Sequence, residues 1–312
     1  MEWIYTVLGL VILLLAGDSL VKGAVNLSLR LGVPALIVSL TIVAFGTSAP
    51  ELLISVQAIL DGVPGLALGN VVGSNTANVL LVLGIPALVA TMHTSECDTR
   101  VSYLQMMAAS VLFIVLCFMG TLNWVSGLIL LAALAAMLIH AIVTTRRAAE
   151  IEEIEGADPS LGWPKIMLYL VLGLIGLPIG ASLLIAGATV IAEGFGLSES
   201  VIGLTLVAVG TSLPELATTF MAALRRQADV AIGNVIGSNM FNLLGIIGIA
   251  ALVGPIPVDS SFLTFDLWVM LGASAILIPF VFLKMNVTRL WGIGLSAAYI
   301  AYVVVVLGAV SA

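Results

Sequence analysis

Charge is what this sequence is short of: Asp, Glu, Lys and Arg make up 9% of 312 residues, while 61% are hydrophobic. Soluble domains carry about 25% charged residues, so a soluble globular fold is excluded and the chain belongs in lipid. A hydrocarbon core about 30 Å thick takes about 20 apolar residues per helical span. With short loops the chain holds about ten such spans and no sizeable soluble domain. Cysteine is scarce too: Cys97 and Cys117 cannot make a disulfide framework and fall in a loop and a span as unrelated thiols. The two histidines, His93 and His140, stand in no H-E-x-x-H string, and G-x-S-x-G and paired intramembrane aspartates are missing as well, which disfavours an intramembrane enzyme. Without G-x-x-x-x-G-K-[ST], ATP drive is unsupported, and no cofactor, nucleotide or nucleic-acid partner is expected. A net charge of −7 carries little information about partners, because five of the 17 acids crowd one short loop and the rest are scattered along the chain. The opening residues Met1-Glu2-Trp3-Ile4-Tyr5 lack the basic stretch of a cleavable signal, so the first apolar segment reads as a retained helix.

What is there in abundance is apolar sequence cut at regular intervals. Runs at 3–29, 33–60, 65–90, 101–119, 122–145, 165–193, 198–224, 229–253, 264–284 and 288–310 predict ten transmembrane helices, an all-α membrane protein. The cuts, such as Leu31-Gly32-Val33-Pro34, Asp61-Gly62-Val63-Pro64 and Gly254-Pro255-Ile256-Pro257, disfavour helix continuation. The longest connection, 146–164, holds Glu150, Glu152, Glu153, Glu155 and Asp158 and reads as a solvated linker between a first unit, 1–145, and a second, 165–312. Lys and Arg accumulate in cytoplasmic loops. Arg30, Arg100, Arg146, Arg147, Lys165, Arg225, Arg226, Lys284 and Arg289 all follow odd-numbered spans or flank the linker, and Lys22 can snorkel to that side. Both termini are therefore expected outside and the linker inside.

The strongest signal is a repeat. A shift of 164 positions lays residues 40–52, LTIVAFGTSAPEL, on 204–216, LTLVAVGTSLPEL, and 69–78, GNVVGSNTAN, on 233–242, GNVIGSNMFN, with no gap between blocks. The two motif regions run over 40–78 and 204–242. Five spans per copy is an odd number, so the second copy enters the membrane from the opposite side, and inverted repeats are the architecture of alternating-access transporters with a midplane site.

Each copy puts a glutamate halfway along an apolar span, Glu51 in the second and Glu215 in the seventh. A carboxylate there costs about 2.5–3.5 kcal/mol on insertion scales. A pair of them either shares a proton or neutralises a cation. Nearby oxygens suit hard cations: Thr47, Ser48, Thr211, Ser212, Ser74, Asn78, Ser238 and Asn242. Pro50 and Pro214 have no N–H to give, so kinks are expected to free carbonyls around Ala44 to Thr47 and Ala208 to Thr211. Gly69-x-x-x-Gly73 and Gly233-x-x-x-Gly237 match a close-packing motif and are expected to let spans 3 and 8 approach. Asn70 and Asn234 read equally as ligands or as caps for the helix breaks.

These paired G-T-S-x-P-E and G-N-x-x-G-S-N blocks resemble the alpha repeats of the sodium/calcium exchanger family, in the cation/Ca2+ antiporter superfamily, over essentially the whole chain. The resemblance implies a Ca2+ site made by Glu51 and Glu215 with the carbonyls of Thr47 and Thr211. It also implies Na+ or shared positions using the carbonyls of Ala44 and Ala208 with Ser74, Ser238, Asn78 and Asn242, and supporting roles for Ser48 and Ser212. Many family members carry an aspartate at one of the positions matching Asn78 and Asn242. Two neutral amides here leave the Na+ count and K+ co-transport open. The large cytoplasmic regulatory insertion of animal exchangers is missing. The expectation is Na+/Ca2+ antiport across the cell membrane, with spans 1 and 6 sliding against the site-bearing helices through their glycines. The rival readings are H+/Ca2+ antiport, K+-dependent exchange, and a glutamate-filter channel, against which inverted kinked repeats argue.

Overall fold

The computed structural model describes residues 2–147, 158, 160–195 and 208–311. Backbone in lipid must satisfy its own hydrogen bonds, and among the described residues the regular elements are helices. In chain order they are α1 (Glu2–Leu31), α2 (Ala35–Thr47), α3 (Ala49–Leu60), α4 (Pro64–Val89), α5 (Arg100–Phe118), α6 (Trp124–Arg147) and α7 (Trp163–Gly194). Then follow α8 (Ala208–Thr211), α9 (Leu213–Leu224), α10 (Ala228–Val253), α11 (Phe262–Phe282) and α12 (Arg289–Ser311). Among the described residues, eight helices are long and apolar enough to cross a membrane, and α2 with α3, bent by 44°, makes a ninth. The expected span 198–224 is described only from Ala208 on, as α8 and α9. Glu150, Glu152, Glu153 and Glu155 of the expected linker also lie outside the described residues, whereas Asp158 lies against α1, its N–H donating to Asn26 Oδ1 at 2.8 Å.

The chain punctuates itself where the sequence allows. After α1 the backbone turns at Gly32 (φ 64°) and after α3 at Gly62 (φ 75°), left-handed positions where a side chain is strained. Proline then opens α4 at its first turn, where a missing N–H costs nothing.

Burial sorts the helices. In α4 and α10, 83% and 89% of the spanning window is buried, against 33% in α1, 28% in α7, 17% in α12 and 11% in α6. Both duplicated G-N-x-x-G-S-N blocks therefore ride on the two central helices, shielded from lipid by the others. Three wider π turns interrupt the helices near the centre, at Ser39–Val43, Asn78–Val82 and Phe241–Ile246. Such turns recur at functional sites because they redirect side chains and carbonyls.

Two expectations about glycine are corrected. The glycines of α1 and α7 were expected to face the site-bearing helices as a sliding surface. Gly9, Gly23, Gly173, Gly176, Gly180 and Gly187 instead face across α1 and α7, where an added Cβ would fall 2.4–2.8 Å from the partner helix. Only Gly17 of that set meets α9, at the carbonyl of Ala217. The physical reason is that small residues let two backbones touch, which welds α1 to α7 as one unit. The second correction concerns α4 and α10, whose glycines were expected to pair these helices with each other. Gly233 and Gly237 pack on α2: a Cβ at Gly237 would sit 2.6 Å from both the Ala44 Cβ and the Leu40 carbonyl. Among the described residues nothing comes within 4 Å of a Cβ at Gly73, and only the Phe262 ring, at 3.7 Å, approaches one at Gly69.

An ion cluster joins this welded pair to the rest. Asp18 of α1 accepts from Lys22 (2.9 Å) and from Arg225 at the end of α9.

Candidate cation site

The site begins with a backbone break. Ser48 (φ −84°, ψ 6°) separates α2 from α3, and Pro50 stands in the first turn of α3, where proline is tolerated without loss. Ser212 (φ −84°, ψ 5°) and Pro214 repeat the arrangement between α8 and α9. Proline thus starts a second helix instead of kinking a continuous one, and each glutamate lies in the first turn of that helix, near its positive end.

The expectation of free carbonyls from Ala44 to Thr47 fails at its first member. The Ala44 carbonyl accepts the N–H of Ser48 at 3.0 Å and the hydroxyl of Thr47 at 3.3 Å. The Ser48 bond is the ordinary i+4 bond of a helix; the N–H that Pro50 lacks would have gone to the Gly46 carbonyl. An ion reaching Ala44 must displace the Thr47 hydroxyl. In the second break the N–H of Ser212 goes to Val209, at 3.1 Å, so the two turns differ in detail. Ala208 and Thr211 begin and end the short α8.

Glu51 and Glu215 are 1% and 0% exposed and close enough to repel each other electrostatically. Ser48 Oγ donates to Glu215 Oε1 at 3.0 Å. Among the described residues no hydrogen-bond donor reaches Glu215 Oε2 or either oxygen of Glu51. Thr47 Oγ1 lies 3.3 Å from Asn234 Oδ1 and 3.5 Å from Ser238 Oγ, so hydroxyl and amide oxygens of α2 and α10 converge beside the acids. Ser74, Asn78 and Asn242 are buried as well, as are Thr211 and Ser212. Among the described residues Asn78 Oδ1, both polar atoms of the Asn242 amide and Ser212 Oγ lack a partner. The π segment that Asn78 opens packs on α9, and the one holding Asn242 packs on α3. Burying so many unsatisfied oxygens is costly. A hard cation, which prefers six to eight oxygens, would relieve that cost. Among the described residues no group of three His, Cys, Asp or Glu side chains comes together, which leaves softer metals without a ligand set.

The structure separates the two readings of Asn70 and Asn234. Asn70 Nδ2 donates to the Glu51 carbonyl (3.2 Å) and to Ser55 Oγ (3.0 Å). Asn234 Nδ2 does the same to the Glu215 carbonyl (3.3 Å) and Thr219 Oγ1 (3.1 Å). Both amides brace the helix that carries a glutamate. Ser55 and Thr219, missed from sequence alone, stand 164 residues apart like the asparagines they hold. That matching spacing was the available signal.

An all-helical bundle that spends its buried interior on acids and unsatisfied oxygens, with lipid-facing helices around it, belongs to the membrane cation transporters. More particularly, the chain belongs to the sodium/calcium exchanger protein family, whose model matches residues 1–143 and 165–308. The sodium/calcium exchanger MaX1 of Methanosarcina acetivorans is 34% identical over 97% of this chain and 98% of its own length. The inner membrane protein YrbG of Escherichia coli is 36% identical over 86% of this chain and 85% of its own. Among solved structures, the sodium-calcium exchanger NCX_Mj matches with a TM-score of 0.84 and 31% identity over 97% of each chain. The chain is an integral membrane antiporter of that family and not an enzyme.

Proposed function

We propose that this protein exchanges Na+ for Ca2+ at a midplane cage built on Glu51 and Glu215, exporting Ca2+ as Na+ enters. The observation that carries this reading is the buried glutamate pair, near enough for its charges to repel, three of whose four carboxylate oxygens have no donor among the described residues. Ca2+ is held by both carboxylates with the carbonyls of Thr47 and Thr211. Na+ uses the same acids with the Ala44 and Ala208 carbonyls, Ser74, Ser238, Asn78 and Asn242; Ser48 orients the Glu215 carboxylate, and Ser212 has a supporting role. Two unit negative charges in a low dielectric do not hold Ca2+ and several Na+ together. The loads therefore alternate, and alternation is exchange.

The ten helices form two inverted five-helix units, 1–145 and 165–312, joined by the cytoplasmic linker 146–164, with both termini outside the cell membrane. Matching hydrogen bonds support the duplication. Ser110 Oγ donates to the Met106 carbonyl (3.0 Å) and Ser274 Oγ to the Met270 carbonyl (3.1 Å), again 164 residues apart. The positions of the basic residues support the orientation, and the inner-membrane relative supports the compartment. The welded α1–α7 pair moves as one body past the site.

A proton could also satisfy the open carboxylate oxygens, which makes H+/Ca2+ antiport the second reading. Vesicles loaded with Na+ and diluted into Na+-free medium are expected to take up Ca2+ at least tenfold faster than vesicles given an outward proton gradient of equal size. Faster uptake on the proton gradient would replace Na+ by H+ in the reading.

A further inference from the structure

Beside the acids lies a buried amide network with a fixed polarity. Asn239 Nδ2 points at the sulfur of Met106 on α5, 3.7 Å away. A thioether has no proton to give, so Asn239 must turn its NH2 toward Met106 and its oxygen away. That oxygen accepts Asn78 Nδ2 at 3.0 Å, and the Asn239 carbonyl accepts Asn75 Nδ2 at 3.2 Å. With its NH2 held toward Asn239, Asn78 turns its oxygen the other way, and among the described residues that oxygen has no partner.

The 164-residue shift turns Asn78 into Asn242, Asn239 into Asn75 and Met106 into Met270. The mirror bond would run from Asn242 Nδ2 to Asn75 Oδ1. Both atoms are buried, and neither has a partner among the described residues. The serines follow the same pattern: Ser48 donates to Glu215, while Ser212 Oγ and both oxygens of its mirror partner Glu51 stay open. Helix packing is matched on the two sides, with α5 and Met106 against α10, and α11 and Met270 against α4. In these two pairs one member is made and, among the described residues, the other is open.

We infer that Asn239, anchored on the Met106 sulfur, and its repeat mate Asn75 are positioning residues that turn the oxygens of Asn78 and Asn242 toward the cations one amide at a time. The anchored amide is an oxygen ligand. The unanchored one is a rotor that presents oxygen or NH2, and an NH2 group facing a cation repels it. Exchanging the anchored side exchanges the two arrangements, which the duplication makes chemically alike. This inference rests on the cation cage proposed above.

The test is Na+-driven uptake of radioactive Ca2+ by the full-length protein in liposomes, read as the half-saturating Na+ concentration and the saturated rate. Asn239→Leu removes the acceptor that orients Asn78 and is expected to raise half-saturating Na+ about five- to tenfold, with the saturated rate within about twofold. Met106→Leu keeps the core volume but removes the sulfur; it is expected to give about a two- to threefold rise, and it stands in if Asn239→Leu does not fold. In an Asn78→Ala background neither change should add anything, because each acts only through Asn78. Effects that multiply with Asn78→Ala, or an unchanged Na+ dependence in Asn239→Leu and Met106→Leu, would overturn the positioning role alone. An unchanged Na+ dependence in Asn78→Ala would remove Asn78 from the cage and the positioning role with it.

Discussion

Exchanging either Glu51 or Glu215 for glutamine is expected to lower Na+-driven Ca2+ uptake at least a hundredfold while leaving a protein that folds and elutes as a single species. Glutamine keeps the shape and removes the charge. Two formal negative charges face the cage, so each substitution halves the field that offsets a divalent ion. One unit charge at about 4 Å and an effective dielectric of about 20 is worth about 4 kcal/mol, and the attraction doubles for Ca2+. Half of the smaller figure already exceeds a tenfold loss of occupancy, and the alternation then needs the same charge for Na+. The two variants should differ in stability. Glu215→Gln weakens the charge-assisted bond from Ser48. Glu51 has no such bond to lose among the described residues, and the like-charge repulsion is mutual, so either substitution relieves it alike. Glu51→Gln should therefore melt higher than Glu215→Gln. Transport by either variant at the wild-type rate would take the glutamates out of the mechanism.

Much of this was legible in the residues because it is written twice. A costly acid in the middle of an apolar run needs a reason, and its return 164 residues later inside the same G-T-S-x-P-E string supplied one. The structure indeed brings Glu51, Glu215, Ser48, Thr47 and Ser238 together. What the sequence left ambiguous is which surface a small residue faces. Gly233 and Gly237 could have packed on any neighbour, and the choice of α2 follows from crossing geometry that no residue string records. The same holds for α1 and α7, where a glycine-rich face fits a sliding contact as well as a weld. Proline misled through position: Pro50 stands in the first turn of a new helix rather than in the middle of one, and the Ala44 carbonyl keeps a helical partner in the N–H of Ser48. Asn75 and Asn239 were visible in the repeated block, yet their role depends on a methionine from another helix.

Gly237 carries the second large expectation, because the contact it permits holds the two halves of the cage together. An added Cβ would stand 2.6 Å from the Ala44 Cβ, 2.6 Å from the Leu40 carbonyl and 2.9 Å from the Leu40 Cα. Two of these three atoms are backbone, so no side-chain rotation relieves the clash and α10 must move away from α2. Ser238 and Asn234 move with it, and both meet Thr47 only at 3.3–3.5 Å, the outer limit of a hydrogen bond. Overpacking of this kind costs about 1–3 kcal/mol in a tolerant core, and a backbone clash offers less room to relax. Gly237→Val is therefore expected to lower Tm by several degrees and to cut exchange at least tenfold, with Gly237→Ala intermediate in both. Gly272→Ala is the control: it changes an exposed position in α11 with nothing within 4 Å among the described residues, and it should transport like wild type. Thermal melting and vesicle uptake on the same preparations separate the two effects. A shifted Tm with undiminished exchange would mean that the approach of α10 to α2 stabilises the bundle without setting the geometry of the cage.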